Sequence, residues 1–534
     1  MYRNQSVSAH DFAMVPRADI PRATFKQDHA HKTTIDAGYL VPIYCQEMLP
    51  GDSFNLKATI FARLSTPLFP IMDNMHVSTF FFFVPARLVW ANWKKFMGEQ
   101  DNPGDSTSYV IPKTTSPAGG YAVNSLYDYM GLPTAGQVTA GQTITHNVLP
   151  LRAYNLIWNE WFRDENLQNS IPKNMGDGPD AHTDYVLKRR GKRHDYFTAA
   201  LPWPQKGPAA TIPIGTSAPI TFPTNPSTWV AAGSANPVTT IGTAGSTTMQ
   251  YNTNIVTAGQ RFLAMPTDAY ANLSTASAVT VNILRQSFQI QKLMERDARG
   301  GTRYTELVRA HFGVVSPDAR LQRPEYIGGG RTPVNINPIT QNSASGATGT
   351  TTPLGELGGM GTALALGHGF KYSSTEHGYV IGLMCVDADL TYQQGIHKMW
   401  TRDTKYDFYF PAFAHLGEQA VLNQEIYATG VDATDEAVFG YQERHAEYRY
   451  MPSRVSGLFR STSAGTIDPW HLAQRFTSLP TLNSTFIESN PPLSRTLAVG
   501  AAANGKQFIC DMVFNNIAAR PMPMYGVPGM IDRF

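Results

Sequence analysis

Apolar and polar side chains begin to alternate at "GDSFNLKATIFARLS" (51–65), where Phe54, Leu56 and Ala58 are separated by polar neighbours. A period of two predicts a strand with one buried face. Ile60 and Phe61 then break the alternation. The next strand, "MHVSTFFFFV", carries four consecutive phenylalanines, Phe80 to Phe83. On a strand, Phe80 and Phe82 point to one face and Phe81 and Phe83 to the other. One core buries one pair, so the second needs a cover of its own. Inserted helices such as 151–167 and a neighbouring subunit are the two covers to weigh. Burying such a pair stabilises by roughly 3–6 kcal/mol. Further apolar strands are predicted at "GYVIGLMCVDADL" (378–390) and "KQFICDMVFNNIA" (506–518). A sheet drawn from segments so far apart has high contact order, as Greek-key and jelly-roll folds do.

Helical periods interrupt the strands. "ARLVWANWKKFMG" spaces Leu88, Trp90, Trp93 and Phe96–Met97 three to four apart, and "LRAYNLIWNEWFRDENL" puts Leu151, Tyr154, Ile157–Trp158 and Trp161–Phe162 on one stripe. A third helix is predicted through Leu284, Phe288 and Leu293–Met294 to a stop at Gly300–Gly301, and a short fourth ends at Gly313. Trp90, Trp93, Trp158 and Trp161, with Phe81 and Phe83, are candidates for the core or for a subunit interface.

Three segments lack a period. Residues 1–45 are polar, basic and proline-punctuated, and read as an N-terminal arm: either a loose tail or an ordered arm threading against neighbours or cargo. Residues 206–280 are rich in Thr, Ser, Gly, Ala and Pro, and Lys206, Arg261 and Asp268 are the only ionisable residues there besides tyrosine. Their Ile, Val and Trp content predicts a surface insertion of short strands and turns, not a flexible linker. Residues 328–368 read as a second long loop.

Composition adds a clue about surface. The chain has 534 residues but only 16% charged ones, against a usual share of about 25%. Either other copies cover much of the surface, or this is a large neutral protein rich in Ser, Thr and Gly loops. Net charge is +2, so the total carries no polyelectrolyte logic. Cys45, Cys385 and Cys510 are too few and scattered for a disulfide framework or a zinc site, and their apolar contexts predict buried thiols. The N-terminus shows no secretory h-region, and no apolar run approaches the roughly 20 residues of a membrane span.

The search for reaction chemistry finds none. Gly358, Gly359 and Gly361 do not complete a phosphate-loop pattern, because Leu364 holds its last position. His29 and His31 have no partners at ligand spacing, and no metal or other cofactor is expected. "VLKRRGKRHDYF" (186–197) is the densest basic cluster, with Lys188, Arg189, Arg190, Lys192 and Arg193 beside Tyr196 and Phe197. Cations interleaved with aromatics suit single-stranded nucleic acid. They equally suit a solvated loop, or pairing with carboxylates across a subunit contact. Arg299 and Arg303 in "ERDARGGTRY" form a weaker second candidate.

Four blocks, residues 31–99, 189–207, 284–329 and 520–534, resemble microvirus major capsid proteins of the gokushovirus branch. They include "STFFFFVPARLVWANWKKFMGE", "RRGKRHDYFTAALPWPQKG" and "RPMPMYGVPGMIDRF". The resemblance implies a mainly β chain forming one discontinuous domain, an eight-stranded antiparallel jelly roll with long inserted loops and several short helices. It implies pentamers and a sixty-subunit T=1 shell around a circular single-stranded DNA genome. It makes 206–280 a threefold protrusion for a host-cell surface receptor. It also implies an internal scaffolding protein, a DNA pilot protein and a small basic DNA-binding protein as partners. Sixty copies at +2 supply only about +120 against thousands of phosphates, so such a partner or counter-ions must do most of the neutralising. The alternative is a soluble β-sandwich carbohydrate-binding module or glycan-active enzyme. A glycosidase needs paired carboxylates across a cleft, and the sequence nominates none.

Overall fold

The computed structural model describes residues 21–211, 280–340, 357–498 and 506–526, with the short paired segments Ile220–Thr221, Trp229–Ala231, Pro237–Val238, Ala264–Pro266 and Tyr270–Ala271. The chain divides into two compact units: Met1–Pro204 with Ala298–Phe534, and Gln205–Asp297. The second contains the expected insertion and extends past it. Within it, Trp229–Ala231 pairs with Pro237–Val238 and Ala264–Pro266, and Ile220–Thr221 with Tyr270–Ala271. The rest of the expected protrusion lies outside the described residues.

The first unit is built on one antiparallel sheet of nine strands: β1 (Ala23–Lys26), β2 (His29–Ile35), β3 (Val41–Met48), β4 (Ser53–Leu64), β5 (Met75–Pro85), β6 (Glu325–Thr340), β7 (Leu357–Ser373), β8 (Gly378–Ala388) and β9 (Phe508–Arg520). The order across the sheet is β1-β9-β4-β7-β6-β5-β8-β3, and β2 also pairs with β9. β1 and β2 therefore share one edge, which leaves eight positions across the sheet. The sheet curls on itself. Its two edge strands are joined by side chains, with Gln46 Nε2 donating to Gln27 Oε1 at 2.7 Å and His31 Nδ1 lying 3.2 Å from the Ile43 carbonyl. This is a mainly β, jelly-roll-type fold of high contact order, as the pattern of distant strands predicts.

β5 lies near the middle, between β6 and β8, and both of its faces are covered within one chain. Phe81 and Phe83 enter the core enclosed by the curl, where Phe81 packs 5.3 Å from Phe370 and Phe83 4.9 Å from Tyr372 (ring centroids). Phe80 and Phe82 face the opposite side. There α1 (Leu149–Ile157) and a following π turn (Trp158–Phe162) supply the cover: Phe162 packs 5.3 Å from Phe80, and Trp161 5.4 Å from Phe82. The inserted helix thus covers the Phe80/Phe82 face, not the Phe81/Phe83 face. β8 is buried along its whole length for the same reason. Room for the inner rings comes from β8 glycines. A Cβ on Gly378 would lie 2.5 Å from the Phe83 ring, and one on Gly382 2.6 Å from the Phe81 ring.

Four sequence expectations change. Residues 23–45, expected within an arm, contribute β1, β2 and the first part of β3 to the sheet. β1 and β2 sit at its edge with much of their surface wet, so no apolar period marks them. Residues 1–20 lie outside the described residues. The expected loop 328–368 contains β6 and β7 on either side of residues 341–356. Its glycines are strand residues pressed against neighbours: a Cβ on Gly329 would lie 2.2 Å from the Thr79 carbonyl oxygen, and one on Gly330 2.4 Å from the His368 ring. The predicted helix across 86–98 breaks into a 3-10 turn, Ala86–Leu88, and one short helix, Trp93–Phe96. Cys45 is exposed, because strand alternation turns it outward with Glu47, while Cys385 and Cys510 are buried. The helices α2 (Val281–Gly300) and α3 (Tyr304–Phe312, ended by Gly313 at φ +70°) form where their periods predict.

Candidate functional site

The basic segment 188–193 is stitched into the subunit along its backbone. Leu40 N donates to the Lys188 carbonyl at 2.9 Å, Arg190 N to that of Gly38 at 2.8 Å, and Lys192 N to that of Ile487 at 2.7 Å. Its side chains are engaged as well. Arg189 Nη1 donates to the Ser489 carbonyl at 2.9 Å while its guanidinium lies 4.1 Å from the Tyr39 ring centre. Arg190 pairs with Asp387 at 3.3 Å and lies 5.0 Å from the Phe80 ring. Lys188 Nζ lies 5.8 Å from the Trp158 ring. Arg193 pairs with Asp389 at 3.0 Å, yet over half of its side chain stays exposed, at 54%. Arg331 approaches the same carboxylate at 3.8 Å. The part of the cluster that faces solvent is therefore centred on Arg193.

Lys192 Nζ donates to Gln474 Oε1 at 2.9 Å and lies 4.5 Å from the Phe486 ring. Loss of water on burial pulls its pKa down to about 8. The unfolded chain keeps that proton up to about pH 10.5, so between about pH 8 and 10.5 it binds more protons than the native state. Stability contributed by this site rises with pH across that window. Lys192→Met should be more stable than the native sequence at pH 7 by on the order of 2 kcal/mol, with the gap closing towards pH 10.5. Urea midpoints of both chains across that range check this; a pH-independent gap would refute the assignment.

The second basic candidate is also paired. Arg299 bridges Glu418 and Glu443 on a two-stranded hairpin, with 2.6 Å to Glu443. Arg303 binds Glu165 and Glu306, the latter at 2.8 Å, and donates to the Asn159 and Arg163 carbonyls at 2.7 and 2.9 Å. It thereby ties the start of α3 to the π turn. Of the aromatic candidates, Phe81, Phe83, Trp90 and Trp158 are buried inside the subunit. Trp90 Nε1 donates to Asp177 at 2.7 Å, and Trp158 Nε1 to the Arg189 carbonyl at 3.2 Å. Trp93 packs on Trp90 and Phe96 while partly exposed, and Trp161 donates to the Pro324 carbonyl at 2.9 Å.

Sequence reading missed a buried ion pair. Arg152 on α1 forms two hydrogen bonds to Asp180, at 2.8 and 2.7 Å, and its Nη1 donates to the Val89 and Gly176 carbonyls at 3.0 and 2.9 Å. Tyr185 also donates to Asp180. Burial alone would raise the Asp180 pKa, but the Arg152 fork and the Tyr185 hydroxyl hold it below the usual carboxylate range. The signal available was an arginine inside an otherwise apolar helical stripe. Among the described residues, no three His, Cys, Asp or Glu side chains group to hold a metal ion.

Among the described residues, the nominated side chains are spent on holding the subunit together. Comparison with known proteins places the chain. The family model described as capsid protein (F protein) matches residues 13–530. Capsid protein VP1 of Bdellovibrio phage phiMH2K is 48% identical, covering 98% of each chain. Capsid protein VP1 of Chlamydia phage 1 is 44% identical over 98% of each, and that of Spiroplasma virus 4 is 35% identical over 98% of this chain and 97% of its own. The chain therefore belongs to the capsid protein (F protein) family, on its gokushovirus-type side, and is a structural protein of the virion, not an enzyme.

Proposed function

We propose that the chain is the major subunit of a T=1 icosahedral shell, assembled through pentamers into sixty copies around a circular single-stranded DNA genome. End-to-end similarity to three capsid proteins is the observation that carries this reading. The jelly-roll sheet, the low charge content and the capsid family support it. In this reading the genome touches the shell locally, with Arg193 the most available of the nominated cations. A small basic DNA-binding partner neutralises most phosphates. An internal scaffolding protein and a DNA pilot protein complete the assembly, and residues 206–280 are displayed for attachment to a host-cell receptor. Expression with the phage's own small proteins should yield uniform closed particles by electron microscopy and light scattering, containing nuclease-protected single-stranded DNA. A chain that stays monomeric under every assembly condition would refute the shell. Particles without protected DNA would refute the genome contact.

A further inference from the structure

Residues 403–413 and 446–448 carry an aromatic surface that the described residues leave about half exposed. Tyr406, Phe408, Tyr409, Phe410 and Tyr448 are each 47–57% exposed. They form one patch: Tyr409 and Tyr448 lie 6.3 Å apart, and Phe413 lies 6.3 Å from Tyr406 and 5.8 Å from Phe410. The Arg402 guanidinium joins its two sides, 4.4 Å from the Tyr448 ring and 5.2 Å from that of Phe408. The patch is held in shape from beneath. Glu447 accepts from Arg402 at 3.0 Å and from Gln419 at 2.7 Å, and Asp407 accepts from Thr404 N at 2.8 Å. His445, at φ +60°, packs against Tyr409 with its Nδ1 3.8 Å from Glu447 Oε1, and loss of water on burial pulls its pKa below the usual imidazole value.

Half-exposed rings of this number leave on the order of 500 Å² of mostly apolar surface, from about 150–250 Å² per aromatic side chain. That is near the upper end of what a free monomer leaves in one patch, about 300–600 Å². It is more than half of the roughly 800 Å² that each partner contributes to a standard interface. The interleaved charges cancel, Arg402, Lys405 and Arg444 against Asp403, Asp407 and Glu447. A polyanion such as the genome therefore has no electrostatic reason to settle here. Rigid, neutral and aromatic surface is what the centre of a protein–protein contact requires.

We propose that this patch is a contact between copies of the chain, with Phe408, Phe410 and Tyr448 at its centre. The inference rests on the capsid reading and names one surface through which shells form. The test compares the native chain with Phe408→Ser/Phe410→Lys, and with Phe312→Lys, which alters an exposed phenylalanine elsewhere on the surface. The double variant should fold and melt like the native chain, while shell yield by sedimentation and electron microscopy drops at least about tenfold. Phe312→Lys should assemble normally. In native shells, hydrogen exchange at amides 405–413 should slow relative to free subunits, a readout that holds even if the variant misfolds. Native-like shell yield from a folded double variant, or unchanged exchange at 405–413, would overturn the contact and leave the capsid reading intact. A native chain that forms no shells would overturn both.

Discussion

Asp180→Asn should destabilise the subunit by about 3–5 kcal/mol, the usual cost of stripping one partner from a buried ion pair. The Arg152 side chain is 2% exposed and that of Asp180 5%, so the orphaned guanidinium cannot recover its loss in water. Native stabilities are only about 5–15 kcal/mol, and such a loss should appear as poor soluble yield and a sharply lower urea midpoint. Replacing both partners together, Arg152→Met with Asp180→Leu, should cost less than either single change. Acid supplies a second readout. The Asp180 pKa lies below its unfolded value, so its contribution is present above the unfolded pKa and fades as pH falls through the folded one. The asparagine variant should lack this acid-dependent loss. A midpoint matching that of the native chain would refute the role given to the pair.

Gly382→Val should cost about 3 kcal/mol through overpacking. Gly382 stands directly opposite Phe81 across the β5–β8 ladder, and a Cβ there would also meet the Tyr44 Cβ at 2.9 Å. Its neighbours are the buried Phe81 ring and the Tyr44 Cβ, which is fixed to its own backbone, so neither can swing away. Pairing the change with Phe81→Leu frees volume at the same place. The double variant should be more stable than the sum of the single losses predicts by at least about 1 kcal/mol. Strict additivity in thermal unfolding would mean that the ring and the glycine do not share that space.

The long strands were legible because burial on one or both faces writes itself into the sequence. β4, β5, β8 and β9 all carry their apolar residues where they are needed. β6 and β7 were not, because close packing against β5 and β4 selects glycine, and glycine in a sequence reads as a turn. The edge strands β1 and β2 have too little buried surface to impose a period. The basic cluster was visible as charge, but its partners Asp387 and Asp389 lie nearly two hundred positions away, and only folding reveals that they are spent on each other. The π turn could not be foreseen either: the stripe of Trp158, Trp161 and Phe162 looks like continued helix until its last rings are seen on the sheet. Function was legible through long family-like blocks, not through any constellation of reactive groups.

The position of β9 sets an order of events during synthesis. Among the described residues β1 and β2 pair only with β9, which also completes β4, and Asn516 donates to Gln27, Tyr44 and Gln46 at the seam. β1 and β2 therefore wait for residues 508–520, and Gln27 and Asn516, which meet at the seam, are 489 positions apart. Until then one side of β4 and the N-terminal strands stay unpaired, and a chain released early keeps open edges that recruit strands from other chains. The fold thus works as a length check: translation has to run through β9 before a subunit can close its sheet and become fit to join others.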